Sequence, residues 1–152
     1  MTALITVEDV KKARYFYETL LQQKVVLDFG ENLTFQGEFS IHLRSHFEGV
    51  IGSRVARGRH NNCELYFEHD DLEEVETLLK KEGIEFLHPI TEQPWRQKVM
   101  RFYDYDGNLI EVGESMSHTA FRLSQEGLEI SEISRITYIS EKEVKSAIQK
   151  YS

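Results

Sequence analysis

The sequence predicts an α+β fold of two paired βαβββ modules, which form a curved mixed sheet around a cleft and precede a C-terminal helical extension. Residues 3–22 and 63–82 each run as a short apolar strand, an Asp and an amphipathic helix. Strand-like runs follow each of them, and residues 117–152 change to a helical pattern. Because one such module cannot bury its sheet face alone, two copies must pair and leave a cleft.

The first module opens with a strand predicted for residues 3–7. Asp9 is placed to cap a helix over residues 10–22, because its carboxylate can accept from the free N–H groups of the first turn. Three strand-like runs separated by glycine-containing turns follow at residues 24–29, 32–35 and 39–44. In the last run apolar and polar residues alternate, as a strand with one covered side requires.

Residues 45–60 interrupt this pattern. They contain three glycines together with Arg54, Arg57 and Arg59, which predicts a mobile connection between the modules. A basic lid over an anionic ligand and a solvated linker are both open interpretations of this stretch.

The second module repeats the order of the first. The helix is predicted for residues 72–82 and ends at Gly83, and the strands are predicted for residues 63–68, 84–87, 98–103 and 108–113. A tight turn at residues 104–107 joins the last two strands. We therefore assign residues 1–114 to one domain, with modules at about 1–45 and 61–114, and residues 115–152 to a helical tail.

The tail is predicted to hold two short helices. Apolar residues at 128, 130, 133 and 136 indicate the first, and a capping-box pattern at residues 140–143 opens the second. Two helices with a turn suggest a helix-turn-helix, but from Ser117 onward five Lys or Arg face five Asp or Glu. Since the tail has no excess of basic residues, we do not expect it to bind DNA. We expect it to pack on residues 1–114 or on a partner subunit.

Composition narrows the class of protein. The chain has 152 residues and a formal charge of −8, which argues against nucleic-acid partners and favours cationic or neutral ones. No apolar run reaches membrane-spanning length, so we expect no membrane partner. The single cysteine, Cys63, excludes an intrachain disulfide framework and favours the cytoplasm. We expect Cys63 to be a small core residue.

Side-chain alternation predicts which residues face the cleft. On the first and last strand of each module they are Thr2, Leu4 and Thr6; Ser40, His42 and Arg44; Glu64, Tyr66 and Glu68; and Leu109 and Glu111. The repeat pairs His42 with Glu111 and Thr2 with Glu64, so a pseudo-twofold axis would bring these positions together. One imidazole and two carboxylates, His42, Glu64 and Glu111, could hold Zn²⁺, Ni²⁺, Mn²⁺ or Fe²⁺.

Alternatively, Arg44 or Arg101 could neutralise Glu64 and Glu111 through ordinary ion pairs. Both arginines are also candidate ligand-binding residues, together with Tyr66 and Trp95. Tyr66 could donate a hydrogen bond to a ligand or merely line the sheet. Trp95 could stack on a ligand, or it could have only a structural role and fill space beside Pro94.

Residues 94–111 carry a family resemblance. The stretch ends in Asp104-Tyr105-Asp106-Gly107-Asn108-Leu109-Ile110-Glu111. It resembles the final hairpin of the glyoxalase, bleomycin-resistance and extradiol-dioxygenase (vicinal oxygen chelate) superfamily, usually an Asp-Pro-Asp-Gly turn followed by Leu-Ile-Glu. Tyr105 replaces the usual Pro. By this resemblance Glu111 matches the final carboxylate ligand of the metal-binding members.

The other ligand positions depart from the family pattern. By the same resemblance His42 stands where an acid is usual, Glu64 where a His is usual, and Thr2 where another His is expected. Two functions follow from the resemblance. The first is a glyoxalase-like metal-dependent lyase, isomerase or thiol transferase, with Glu64 and Glu111 as catalytic residues. The second is a metal-free protein that binds or sequesters a small aromatic or cationic compound. For either function we expect a homodimer with a small-molecule ligand.

Overall fold

The computed structural model describes residues 1–152, which divide into two units. The first unit comprises Met1–Glu64, Leu78–Glu85 and Tyr103–Leu109. The second comprises Leu65–Thr77, Phe86–Phe102 and Ile110–Ser152. The C-terminal helices therefore belong to the same unit as most of the second sheet.

The first sheet confirms the predicted βαβββ order. Its strands are β1 (Ala3–Val7), β2 (Val25–Asp28), β3 (Asn32–Phe35) and β4 (Phe39–Leu43). The spatial order is β1-β4-β3-β2, in which β1 and β4 are parallel and the other pairs are antiparallel. A parallel pair needs a crossover connection, and the helix between β1 and β2 provides part of it.

The helix of the first module is α1 (Val10–Tyr15), which continues as a π-helical turn over Phe16–Leu20. The carboxylate of Asp9 accepts from the backbone N–H groups of Lys11 and Lys12, which confirms the predicted cap. In the π-helical turn the Tyr17 ring is fully buried, and its hydroxyl donates to Asp104 Oδ2 at 2.7 Å. This bond ties the helix to the turn at residues 104–107.

A helix that the sequence did not predict, α2 (Arg44–Ile51), follows β4. It ends at Gly52, whose φ of 66° is the left-handed conformation that glycine adopts without strain. The sequence analysis predicted no helix within residues 45–60, so α2 corrects it for the first part of that segment, and the predicted mobility stays a prediction. The prediction that β4 includes Arg44 was also wrong by one residue.

The second sheet repeats the topology. Its strands are β5 (Glu64–Glu68), β6 (Phe86–Glu92), β7 (Lys98–Tyr103) and β8 (Leu109–Gly113), in the order β5-β8-β7-β6. The helix α3 spans Leu72–Lys81. The strand predicted at residues 84–87 lies instead at Phe86–Glu92. Cys63, expected in the core, is exposed and precedes β5.

Apolar side chains fill the interior of each unit. In the first unit Phe35 and Phe39 stack at 4.6 Å between ring centroids, and both are buried. In the second unit Met100, Phe102 and Ile110 from the central strands β7 and β8 are fully buried. Burial of such side chains stabilises the fold by about 1.5–3 kcal/mol each.

The tail forms three helices, α4 (Met116–Gln125), α5 (Ile130–Thr137) and α6 (Glu141–Tyr151). The sequence predicted the last two, and the capping box at Ser140 and Glu143 is confirmed. The sequence analysis did not predict α4. The buried residues of this helix are Thr119, Ala120 and Leu123, and the first two are too small to give a clear apolar pattern. None of the helices has the length and apolar character needed to cross a membrane.

Candidate functional site

One face of the second sheet gathers polar and aromatic side chains from adjacent strands, which are exposed on the edge strand β5 and buried on the central strand β8. Burial alternates along β5, so Glu64, Tyr66 and Glu68 share its exposed side. The Tyr66 hydroxyl accepts from Gln97 Nε2 at 2.9 Å and donates to Glu68 Oε1 at 3.2 Å. Gln97 Oε1 in turn accepts from Trp95 Nε1 at 2.9 Å. Tyr66 and Trp95, both predicted ligand contacts, are thus joined through one amide.

Gly113 on β8 permits this arrangement. A Cβ atom there would lie 2.9 Å from Gln97 Nε2 and 3.3 Å from Tyr66 Cε2, which is too close for the backbone and both side chains to stay in place. The same Gln97 amide donates to the carbonyl oxygen of Glu114 at 2.8 Å, and the Gln97 side chain is buried. Gln97 therefore holds Tyr66 at a fixed position on the sheet.

The Tyr66 hydroxyl is a neutral donor over the whole physiological range. Burial is the largest effect and raises its pKa to about 12, and the negative charges of Glu68 and Glu111 act in the same direction. The hydrogen bond from Gln97 acts in the opposite direction. The phenol stays protonated because its surroundings disfavour the phenolate.

Glu111 is paired with a cation inside the same sheet. Its side chain is 7% exposed and forms an ion pair with Arg101 of the neighbouring strand, whose side chain is 23% exposed. Arg101 Nη1 also lies 3.3 Å from His88 Nε2 on β6. A buried carboxylate needs such a partner, so the interpretation that Arg101 neutralises Glu111 is confirmed.

The His42 imidazole of β4 in the first unit contacts an amide and a second imidazole instead of a guanidinium. Asn32 Nδ2 lies 3.1 Å from Nδ1, and His46 Nδ1 on α2 lies 2.7 Å from Nε2. Because the amide nitrogen donates, Nδ1 accepts and Nε2 carries the proton. Burial, followed by His46, lowers the pKa of His42 against a smaller opposing effect of Glu31. His42 is therefore a neutral imidazole at pH 7.

Arg44, predicted to face a ligand from a strand, lies at the start of α2. Its buried side chain forms an ion pair with Glu8, and its Nη2 lies 3.7 Å from Asp106 Oδ1. Its Nε has no hydrogen-bond partner. The strand placement was wrong, and ligand contact by Arg44 stays a prediction.

No three His, Cys, Asp or Glu side chains of the chain are grouped so that they could hold a metal ion together. His42 belongs to the first unit and Glu111 to the second, whereas Glu64 is the last residue of the first segment of the first unit. The predicted metal centre of these three residues stays a prediction.

Gln97 and His88 were missed by the sequence analysis. Alternation along β7 could have found Gln97, because residues 97, 99 and 101 share one face of an extended chain. His88 could be placed only once the strand β6 was located correctly.

These two βαβββ modules define a class, the vicinal oxygen chelate superfamily with its glyoxalases, bleomycin-resistance proteins and dioxygenases. The glyoxalase-like domain family matches residues 1–117, and the chain belongs to that family. No curated protein matches the chain.

Solved structures agree with this assignment. A protein of unknown function from Agrobacterium tumefaciens str. C58 is 36% identical, with a TM-score of 0.67 over 75% of this chain and 91% of that one. Two other solved structures have a lower sequence identity, and their similarity shows the fold alone. The lactoylglutathione lyase from Agrobacterium tumefaciens is 22% identical, with a TM-score of 0.58 over 76% of this chain and 92% of its own. A fosfomycin resistance protein from Mesorhizobium loti is 16% identical, with a TM-score of 0.55 over 76% and 90%.

Proposed function

We propose that this chain is a cytoplasmic, homodimeric protein that binds a small cationic aromatic compound, without a metal ion, on the face of its second sheet that carries Tyr66. The observation that carries the proposal is the Arg101–Glu111 ion pair. It supplies the buried carboxylate with a positive partner from within the protein, so no metal ion is needed to balance that charge.

The rest of the face favours a cation with an aromatic ring. Glu68 is exposed on β5 beside Tyr66, and its carboxylate gives this part of the face a negative charge. Tyr66 is 46% exposed and Trp95 is half-buried, so each offers part of an aromatic ring to a ligand. Aromatic faces attract cations by about 0.5–2 kcal/mol.

Quenching of Trp95 fluorescence tests this proposal, because Trp95 is the single tryptophan of the chain. The probes are monocationic aryl amines, and their neutral N-acetyl isosteres serve as controls. We expect saturable quenching by the amines alone. Glu68→Gln should weaken binding roughly three- to fivefold, the size of a partly exposed ion pair.

Glu73→Gln is the matched control variant, because Glu73 is exposed in the first turn of α3. It removes the same charge elsewhere on the same unit and should leave the affinity unchanged. Failure of every amine to quench, or equal weakening by both variants, would reject the proposal.

A metal-dependent enzyme of the glyoxalase-like class is the second candidate, with His42, Glu64 and Glu111 as ligands and the two glutamates as catalytic residues. The neutral imidazole of His42 favours it, since neutral His is the form that binds metals. As arranged, however, these groups do not fit a metal centre. A divalent cation at Glu111 would lie beside the Arg101 guanidinium, and His42 Nε2 faces His46 at 2.7 Å.

Metal analysis separates the two candidates. Purified protein is repleted in turn with Zn²⁺, Ni²⁺, Mn²⁺ and Fe²⁺ and then desalted. Stoichiometric metal that is lost in His42→Ala would support the enzyme, whereas metal-free protein after every repletion would support the proposed metal-free site.

The homodimer is supported by an apolar edge. The strand β2 lies at the edge of the first sheet, where Val26, Leu27 and Phe29 are 49%, 52% and 68% exposed. Exposed apolar edge strands tend to pair with another chain. Light scattering should give a dimeric mass for the native chain and a monomeric mass for Phe29→Asp. A monomeric native chain would contradict this part of the proposal.

A further inference from the structure

The turn between β6 and β7 carries Trp95 and contains one residue in an unfavourable backbone conformation. Two hydrogen bonds of 2.8 Å close this turn, from the Arg96 N–H to the Gln93 carbonyl oxygen and from the Gln93 N–H to the Gln97 carbonyl oxygen. Arg96 has a φ of 69°, in the left-handed region that residues with a Cβ atom rarely adopt. Such a conformation persists only where surrounding groups hold it, so contacts from outside the turn decide where Trp95 lies.

The C-terminal helix α4 supplies those contacts. Arg122 Nη2 donates to the carbonyl oxygen of Arg96 at 2.6 Å. The Arg96 side chain in turn reaches the end of α4, where its Nη2 donates to Glu126 Oε2 at 2.9 Å. Arg122 Nη1 donates to Glu126 Oε1 at 2.7 Å, so these two side chains support each other. The helix therefore holds Arg96 both by its backbone and by its side chain.

Glu114, between β8 and α4, connects Arg122 to Gln97. Its side chain is 3% exposed, and its Oε1 accepts from Arg122 Nη2 at 2.7 Å and from the Lys98 N–H at 2.9 Å. Burial alone would raise the pKa of this carboxyl, but hydrogen bonds from Arg122, Lys98 and His118 outweigh that effect and lower it. The carboxylate is therefore charged at pH 7. Because the Glu114 carbonyl oxygen accepts from Gln97 Nε2 at 2.8 Å, one residue joins α4 to the amide that holds the ligand-binding face.

We propose that Arg122 is a positioning residue of the ligand-binding face, because it holds the β6–β7 turn in the conformation that presents Trp95 to the ligand. This inference rests on the function proposed above. Arg122 does not contact the ligand and acts through the Arg96 carbonyl oxygen and through Glu114. The family match ends at residue 117, so this support comes from the tail and not from the glyoxalase-like domain.

Acrylamide quenching of Trp95 fluorescence tests the inference on the full chain without any ligand. We expect the quenching constant to rise roughly twofold in Arg122→Met, because a released turn exposes the indole more often. Binding of the cationic aryl amine should weaken roughly tenfold, the size of one lost contact between an aromatic ring and a cation. Arg122→Lys should restore part of both values, since a single nitrogen, Nη2, serves both acceptors in the native chain.

The double variant Arg122→Met/Glu114→Gln keeps the test decisive if the single variant is too unstable to measure. It removes the buried carboxylate charge together with its cation, so no unpaired charge is left at this position. It should show the same rise in the acrylamide quenching constant. Circular dichroism checks that each variant is folded at the temperature of the measurement.

Two control variants separate positioning from a general loosening of the tail. Arg135→Met removes the same charge from an exposed site on α5, and Tyr151→Phe removes the hydrogen bond that joins α6 to Asp70. Both should leave the acrylamide quenching constant and the amine affinity unchanged. An unchanged quenching constant in Arg122→Met and in the double variant, or an equal rise in Tyr151→Phe, would overturn the inference. Failure of every amine to bind the native chain would instead reject the proposed function, because the acrylamide result does not depend on a ligand.

Discussion

The two sheets carry different polar side chains at corresponding positions, and these side chains contact different kinds of partner. On β4 of the first sheet a half-buried His42 contacts the side chains of Asn32 and His46. At the corresponding position on β8 of the second sheet, the buried Glu111 contacts the Arg101 guanidinium. The duplication thus repeats the backbone positions and not the side-chain chemistry.

This difference shows why matching positions do not by themselves make a shared metal site. Each polar group is satisfied by a neighbour within its own sheet: Asn32 stands opposite His42 on β3, and Arg101 lies on the strand next to Glu111. A metal ion would have to displace these partners before it could bind. Under our proposal, an organic ligand binds the second sheet without displacing the Arg101–Glu111 pair.

The largest expected effect comes from breaking the ion pair. Arg101→Met leaves the Glu111 carboxylate buried without its cation, which should lower the free energy of unfolding by about 3–5 kcal/mol. Urea denaturation measures this loss. The double variant Arg101→Met/Glu111→Met should recover most of it, because the buried carboxylate is removed together with its cation. Equal destabilisation in the single and double variants would mean that the pair contributes through packing alone.

A smaller effect is expected on the first sheet. His42→Gln should lower the free energy of unfolding by about 1 kcal/mol, since it disturbs side-chain hydrogen bonds without removing one member of an ion pair. The pH dependence of the free energy of unfolding tests the role of His42 more directly than the size of this loss does. Because the pKa of His42 is lowered in the folded state, the unfolded chain takes up the proton first. The native protein should therefore lose stability as the pH falls through about 6.5.

His42→Gln should flatten this part of the profile, which thermal unfolding between pH 7.5 and pH 5.5 would record (the window brackets an ordinary histidine pKa of about 6.5). An unchanged slope in the variant would show that His42 does not titrate as its surroundings indicate.

The smallest effect is spectroscopic. With a pKa of about 12, Tyr66 should remain a phenol when exposed tyrosines ionise. The ultraviolet difference between native protein and Tyr66→Phe should therefore show one phenolate that appears only near that pH. Ionisation near pH 10, the ordinary tyrosine value, would show that the second sheet face is less desolvated and less negative than the structure indicates.

Much of the fold could be predicted because it follows from local periodicity. Alternation placed β1 and β7 at their observed residues, and the Asp9 cap marked the start of α1. The helix α2 escaped because the glycines of residues 45–60 dominated the local pattern. The helix α4 escaped because small and polar residues such as Thr119 and Ala120 form part of its buried side.

The site was only partly predictable for a different reason. Alternation assigns a side chain to a face, and it placed Tyr66 and Glu68 correctly on the exposed side of β5. It does not select a partner, because a long side chain such as Arg101 can reach several carboxylates. The role of Gln97 depends on the close approach that Gly113 allows, and that approach exists only in the folded sheet.

The central claim is that the second sheet face binds its ligand with an internal cation in place of a metal. The most direct measurement is a Trp95 fluorescence titration with a cationic aryl amine, before and after treatment with a chelator. The account predicts the same dissociation constant in both titrations. Loss of binding after chelation, with recovery on adding back a divalent metal, would contradict it.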